Sequence, residues 1–377
     1  MKSKYYFLLI ITAVLVMYAC QKDIVTYNDN YDDKTSSDGQ PTITRITTSS
    51  DLENPISQAA LTQMICLHGD NLTGLISIFI NDVEVNLSTV YALRDRITLP
   101  IPRILPSDVD NKVKIKTKYG ETYASLSIIS PPFEVAGLEN EYCFAGDTVR
   151  INGNNFDLYN ITAELGKVYF GSTEAIIDST AEKFIMIIVP QAAQPGDIIR
   201  IQGTQTDIYL TGRFRDARGI FEDIDNYTGW SNQQCFTDGT INQNDPKPCS
   251  GLYTRISRTL GSWEWFDFFA AWYTWPRDVF DNPHKYYFKF EINTLKALKT
   301  KSINLNQTGW EWKPWIVSEF NTGGKWQTIT AEMTDVMNGK VSSDFPVDNN
   351  IFQFTLRGGE SETVDLCLDN FRIIPKE

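Results

Sequence analysis

Residues 148–156 read Thr-Val-Arg-Ile-Asn-Gly-Asn-Asn-Phe, and residues 64–72 read Met-Ile-Cys-Leu-His-Gly-Asp-Asn-Leu. Both are alternating strands that run into Gly-x-Asn and then a large apolar residue. Each is followed by a short apolar strand, Ile78-Phe79-Ile80-Asn81 and Val168-Tyr169-Phe170-Gly171, and then by a strand closing on proline, Ile97-Thr98-Leu99-Pro100 and Ile187-Ile188-Val189-Pro190. Gly69 and Gly153 stand 84 positions apart. The chain therefore carries two copies of a unit of about 85 to 90 residues, the size of an immunoglobulin-like sandwich. Within the first copy, Lys112, Lys114, Lys116 and Lys118 alternate with Val113, Ile115 and Thr117, which one wet and one buried sheet face requires.

Beyond the second copy the composition changes. All nine tryptophans lie between Trp230 and Trp326, and residues 214–377 hold 28 of the 47 aromatic side chains. A domain boundary near residue 213 follows. Strand candidates continue through Tyr286-Tyr287-Phe288-Lys289-Phe290, Ile351-Phe352-Gln353-Phe354 and Val364-Asp365-Leu366-Cys367-Leu368, with wide loops and scant helical periodicity. The fold expected is all-β, two tandem immunoglobulin-like sandwiches followed by a larger β-sandwich of jelly-roll type.

The 377 residues carry 34 Lys and Arg against 47 Asp and Glu, a formal charge of −13. Without a basic patch such a body repels phosphate backbones, so no nucleic-acid partner is expected. His68 and His284 are the only histidines, which argues against a histidine triad or a multi-histidine metal site. Neither a Gly-x-Ser-x-Gly elbow nor a His-Glu-x-x-His helix occurs, and nothing has the spacing of a calcium loop. No cofactor and no metal are expected.

At the amino end, Lys2 and Lys4 precede an apolar run from Tyr5 to Met17, too short for a membrane span and of the form of a secretory signal. Met17-Tyr18-Ala19-Cys20 resembles the lipobox of bacterial lipoproteins, which implies a signal peptide over 1–19 and a lipid on Cys20. The polar stretch over 20–40 then reads as a flexible tether, and acyl chains hold the protein at a membrane surface. An exported chain permits a disulfide between Cys235 and Cys249, which bracket a polar loop. Cys66, Cys143 and Cys367 sit among apolar neighbours and read as small buried hydrophobes.

The repeat motifs resemble IPT/TIG domains, over 41–131 and, more fully, over 132–213. The closing Leu366-Cys367-Leu368-Asp369-Asn370-Phe371-Arg372 resembles the last strand of many carbohydrate-binding sandwiches, and Trp326-Gln327-Thr328-Ile329-Thr330 resembles another of their strands. Signal, tether, two IPT/TIG-like units and a terminal module over 214–377 together resemble a surface glycan-binding protein of Bacteroidetes, the B type of polysaccharide utilisation loci. That resemblance implies an outer-membrane lipoprotein that captures polysaccharide for a neighbouring glycan importer complex, with binding confined to the terminal domain.

The aromatic residues point the same way on physical grounds. The axial C–H groups of a pyranose sit well on the negative face of an indole. Trp263, Trp265, Trp272 and Trp275 cluster in one stretch, and Trp310, Trp312 and Trp315 in another; these seven are the candidate glycan platforms. Asp267, Glu264, Arg277, Asp278 and Asn282 are candidate partners for sugar hydroxyls. Strand alternation puts Trp263 with Trp265, and Trp310 with Trp312, on shared faces, so one pair could be wholly core. Trp326 is expected in the core, and Trp230 is read as structural. A platform that buries roughly 100 Å² contributes about 2.5 kcal/mol. Three platforms, less an association cost of at least about 4 kcal/mol, give millimolar to micromolar affinity.

Flat equatorial sugars stack best, so β-glucan-type chains lead. Two other functions stay open. A glycoside hydrolase would need a carboxylate pair such as Glu264 with Asp267 or Asp278 with Asp281, one with a raised pKa. A protein–protein adhesin, or a structural partner of an import complex, would use the aromatic patches as interface hot spots.

Overall fold

The computed structural model describes residues 36–227, 229–232, 235–346 and 350–376. The signal peptide, Cys20 and most of the expected tether lie outside them. The chain divides into two compact units, 1–131 and 132–377.

In the first unit, Thr42–Thr48, Met64–Asp70, Arg96–Pro100 and Tyr91–Ala92 form one sheet. Val83–Glu84, Leu75–Ile80, Lys112–Thr117 and Gly120–Ser125 form a second, and Gln58–Ala60 pairs in parallel with Ser127–Ile129. Ile65, Leu67, Ile97 and Leu99 face Ile78, Ile80, Val113 and Ile115, all buried, while Lys114 and Lys116 point to water. The end of the expected tether is already ordered here. Ser37 is buried against Thr73, and the Arg94 guanidinium holds Asp38 and Asp70 at 2.9 Å each.

The repeated Gly-x-Asn motif has the same job in both copies. Gly69 pairs with Ile43 and Gly153 with Val135, in each case beside a β-bulge in the partner strand. A Cβ at Gly69 would stand 1.8 Å from the Thr42 carbonyl oxygen, and one at Gly153 would stand 2.2 Å from that of Glu134. Only glycine lets the strands approach so closely. Asn71 and Asn155 then turn the chain through left-handed conformations (φ 59° and 67°), and Leu72 and Phe156 drop fully into their cores.

The second unit holds two cores. The first, under residues 138–214, is wrapped by a continuous seven-stranded antiparallel sheet and filled by Ile151, Phe156, Phe170, Ile185, Ile187 and Ile201. The second lies between two sheets. The inner sheet runs in the order Phe236–Thr237, Tyr253–Leu260, Glu362–Pro375, Tyr286–Thr294, Gln327–Glu332, with Ile220–Glu222 paired to the far half of Glu362–Pro375. The outer sheet runs Trp230–Ser231, Trp265–Tyr273, Asn350–Arg357, Ser302–Leu305, Trp310–Trp312. Phenylalanines fill the space between them; the ring of Phe354 lies 4.8 Å from Phe371 and 5.3 Å from Phe352.

A buried ionic cluster joins the two parts of this unit. Arg372 donates to Glu141 at 2.7 Å and to Glu291 at 2.8 Å, and Lys289 also pairs with Glu141. Two cations thus balance two anions, all buried, which is the condition for such charges to be tolerated away from water. Thr328 extends the contact, donating its amide to the Glu139 carbonyl and accepting from the Glu141 amide, both at 2.7 Å.

Cys235 and Cys249 do not form the expected disulfide. Both are free and buried. Cys235 packs into the phenylalanine core, whereas Cys249 donates to Asp369, whose side chain lies on the opposite face of the inner sheet from the core residues Leu366 and Leu368. The sheet itself separates the two thiols.

Candidate functional site

The outer face of the five-stranded sheet can be read row by row from the strand register. Trp265, Arg357 and Ser302 form one row. Asp267, Thr355, Asn304 and Glu311 form the next. Ala270 pairs with Gln353 on one side and with Trp230 on the edge strand, and Trp272 with Ile351 closes the face. Trp265 and Trp272 are seven residues apart, an odd spacing that a regular strand would put on opposite faces. The β-bulge between Asp267 and Phe269 absorbs one residue and turns both indoles outward.

Trp230, Trp265 and Trp272 are 55%, 57% and 64% exposed, large values for indoles on a formed sheet. They form a band along one margin, roughly 20 Å from Trp265 to Trp272 at about 3.4 Å per residue. Trp230 stands between them. The Arg357 guanidinium lies over the Trp265 ring at 4.2 Å and fixes its tilt.

Beside the band the floor is polar and tied together. Thr355 donates to Asp267 at 2.8 Å, Asn306 to Thr355 at 3.3 Å, Asn304 to Ser302 at 2.9 Å and Ser302 to Glu311 at 2.6 Å. At the Trp272 end lies a hollow of about 450 Å³ lined by Asn226, Gly229, Asp223 and Glu222. The arrangement offers stacking surfaces with hydrogen-bonding groups at their side, which suits a neutral, polyhydroxylated chain.

It does not offer a matched acid and base. Burial would raise the Glu311 carboxyl, but the Lys313 ammonium and Ser302 hydroxyl outweigh it and hold it below the ordinary carboxyl value. Burial raises Glu222, yet its two oxygens are occupied by the Tyr273 hydroxyl and the Ile224 amide. Glu264 accepts from the Gly261 amide at 2.8 Å and pairs with Arg258 at 3.1 Å. Asp278 is held low by the Tyr286 hydroxyl and by Asn282, and Asp281 accepts from Ser342.

Several expected site residues lie elsewhere. Trp275 is 2% exposed and stacks on Phe280, so it is core. Trp310 and Trp312 do share a face, but it is the inner one, because their partners Leu305 and Ile303 point into the sandwich. Trp310 is buried against Phe288; Trp312 is half-buried, edge-on to Phe290 and Phe320. Trp315 is half-buried against the same core, while Ile316 and Val317 take the exposed positions expected for it. Trp263 is 76% exposed but precedes the strand, in a left-handed turn (φ 60°), so it does not share the face with Trp265 through alternation. Arg277 donates to the carbonyls of Ser342 and Phe345, and Asn282 to Asp278, so both brace their own loop. Trp326 is not core: it is half-buried, edge-on to Tyr253, outside the phenylalanine cluster. Trp230, read as structural, is on the exposed band; a two-residue edge strand carries no periodicity that could have revealed it.

An antiparallel sandwich with an outward tryptophan band over a polar floor has the architecture of a carbohydrate-binding surface. Residues 214–375, the terminal domain, match the family model described as the surface glycan-binding protein B xyloglucan-binding domain. The crystal structure of the surface glycan-binding protein PbSGBP-B from Prevotella bryantii superposes with a TM-score of 0.57 at 20% identity, covering 90% of this chain and all of that one, and so shares the fold. A surface glycan-binding protein B from Bacteroides uniformis gives a TM-score of 0.48 at 16% identity, covering 89% of this chain and 99% of that one. An IPT/TIG domain-containing protein of Bacteroides ovatus is 23% identical over 206 residues, 52% of this chain; the chain spans only 37% of that relative.

Proposed function

We propose that this protein is a non-catalytic, cell-surface polysaccharide-binding lipoprotein. It captures a β-glucan-type chain on the outer sheet of its terminal domain and presents it to an outer-membrane import system. The observation that carries the reading is the band of Trp230, Trp265 and Trp272, spaced along one strand direction as successive stacking platforms for an extended glycan. The family description of residues 214–375 supports xyloglucan as the first polymer to try. The lipobox-like Met17-Tyr18-Ala19-Cys20 supports a membrane anchor. The occupied carboxylates beside the platforms favour binding over hydrolysis.

Native affinity electrophoresis of the chain from residue 21 tests this, through gels holding xyloglucan, mixed-linkage glucan, xylan, mannan, pectin or an α-glucan. Retardation by a β-glucan, strongly weakened in the Trp265→Ala/Trp272→Ala variant and without new reducing ends in the polymer, is the expected result. Retardation by none of the polymers would leave a protein partner in the outer membrane as the better reading.

A further inference from the structure

A second hollow of about 450 Å³ lies where the seven-stranded part of the second unit meets the inner sheet of the terminal sandwich. Asn140, Phe144 and Arg150 line it from one side; Lys247, Asn293 and Trp326 line it from the other. It is on the opposite layer of the sandwich from the tryptophan band, because Asn293 alternates with the core residues Phe290 and Ile292 on the inner sheet.

We infer that this cleft is a second saccharide site. Asn293 is fully buried, and its amide N–H₂ donates to the Gly324 carbonyl at 3.0 Å, which fixes the orientation of the group. Its carbonyl oxygen is buried with no hydrogen-bond partner among the described residues, and Asn293 is one of the residues that border the cleft. An orphaned buried acceptor costs about 1–3 kcal/mol, so the cleft lacks a donor. A sugar hydroxyl supplies one. A carboxylate or phosphate does not, and two of the cations that would have favoured an anion are already engaged with rings, Lys247 over Phe144 at 3.8 Å and Arg150 over Phe184 at 4.0 Å.

Trp326 supplies the stacking wall. Its indole N–H donates to the Lys247 carbonyl at 2.9 Å and its ring meets Tyr253 edge to face, at 5.3 Å and 85°, so it is held in place before any ligand arrives. A platform fixed in advance loses little rotamer freedom on binding. A single water could satisfy Asn293, but the hollow holds far more than one, and an indole wall offers water no hydrogen bond through its face. The site stands apart from the tryptophan band. Occupied together, the two sites would add avidity for a long polymer.

The test uses the chain from residue 21 with its tryptophan indoles ¹⁵N-labelled, titrated with methyl β-D-glucopyranoside and with cellobiose as probes. The Trp326 resonance is identified by its loss in Trp326→Phe. It is expected to shift saturably with either probe, and to do so still in Trp265→Ala/Trp272→Ala, in which sheet-face binding is strongly weakened. In Asn293→Ala the Trp326 shift is expected to need at least about tenfold more sugar, while the resonances of the sheet-face indoles respond as before, which also shows that the variant is folded. A Trp326 resonance that stays fixed while the sheet-face indoles move means a water-filled crevice only and overturns the proposal, as does a Trp326 shift that vanishes with the sheet-face variant. Sheet-face indoles that fail to move would count against the main binding face and leave the Trp326 readout to decide this one separately.

Discussion

Trp272 and Trp275 stand three residues apart and on opposite sides of the sandwich wall: the first is 64% exposed on the outer face, the second 2% exposed and stacked on Phe280. Their substitutions should therefore fail in different ways. Trp272→Ala should leave the urea midpoint nearly unchanged and weaken glycan retardation by an amount of order 2.5 kcal/mol, the value of a lost platform. Trp275→Ala should lower stability by about 3–5 kcal/mol, the usual cost of emptying an aromatic core site. Affinity electrophoresis beside urea unfolding separates the two, and equal stability losses in both variants would contradict the assignment.

Gly69→Ala isolates the first unit. Its Cβ would collide with the Thr42 carbonyl, a backbone atom that can retreat only if the Thr42–Thr48 strand leaves Met64–Asp70. Limited proteolysis should cut within residues 42–48 of the variant and spare those of the parent, while glycan retardation stays unchanged, since the binding face belongs to the second unit.

Removing Arg372 leaves Glu141 and Glu291 buried with only Lys289 between them. Arg372→Met should cost about 3–5 kcal/mol in urea unfolding, the range found when one member of a buried ion pair is deleted. Adding Glu291→Gln, which removes the stranded charge, should recover part of that loss. A double variant no more stable than the single one would show that the arginine acts through packing alone.

Glu222 predicts a pH dependence. Burial raises its carboxyl above the ordinary 4.5, against the opposing hydrogen bonds from Tyr273 and Ile224. The folded state then holds a proton that the unfolded state releases first, so this group's contribution to stability falls as pH rises from 4.5 through the folded value and is level beyond it. Glu222→Gln keeps the acceptor for Ile224 and can donate to Tyr273. Its stability relative to the parent should climb over that window and then stay constant, as urea midpoints across pH would show.

The cysteine pair offers a mass measurement. Alkylation in denaturant without reductant should label both Cys235 and Cys249, and reductant should leave the melting temperature unchanged. An unlabelled pair would restore the bridge.

The fold was readable because its signals are local. Gly69, Gly153, Asn71 and Asn155 each answer a steric demand of the backbone, and the lysine alternation over 112–118 marks its sheet face directly. The site was readable only in composition. Trp265 and Trp272 reach the same face through a bulge whose position no residue pattern marks, so counting by twos misplaces one of them. Trp310 and Trp312 obey the count, yet counting cannot say which face is wet; that was settled by Ile303 and Leu305, which pair with them and point inward. Asn293 was invisible as a candidate, because an orphaned carbonyl exists only once the sheet and the loop at Gly324 have met.

The strand Glu362–Pro375 is the last of its domain to be made and among the most central in its sheet, with Thr254 pairing to Leu368 and Lys289 to Arg372 across more than 80 residues of chain. Order of synthesis and order of assembly are thus opposed. The repeats can close as soon as their own strands are present, but the sandwich stays open, its phenylalanines unshielded, until its last strand joins. A chain cut before residue 362 would keep every strand of the tryptophan-bearing sheet but lose the strand that joins Tyr253–Leu260 to Tyr286–Thr294, and with it the layer that covers the phenylalanine core.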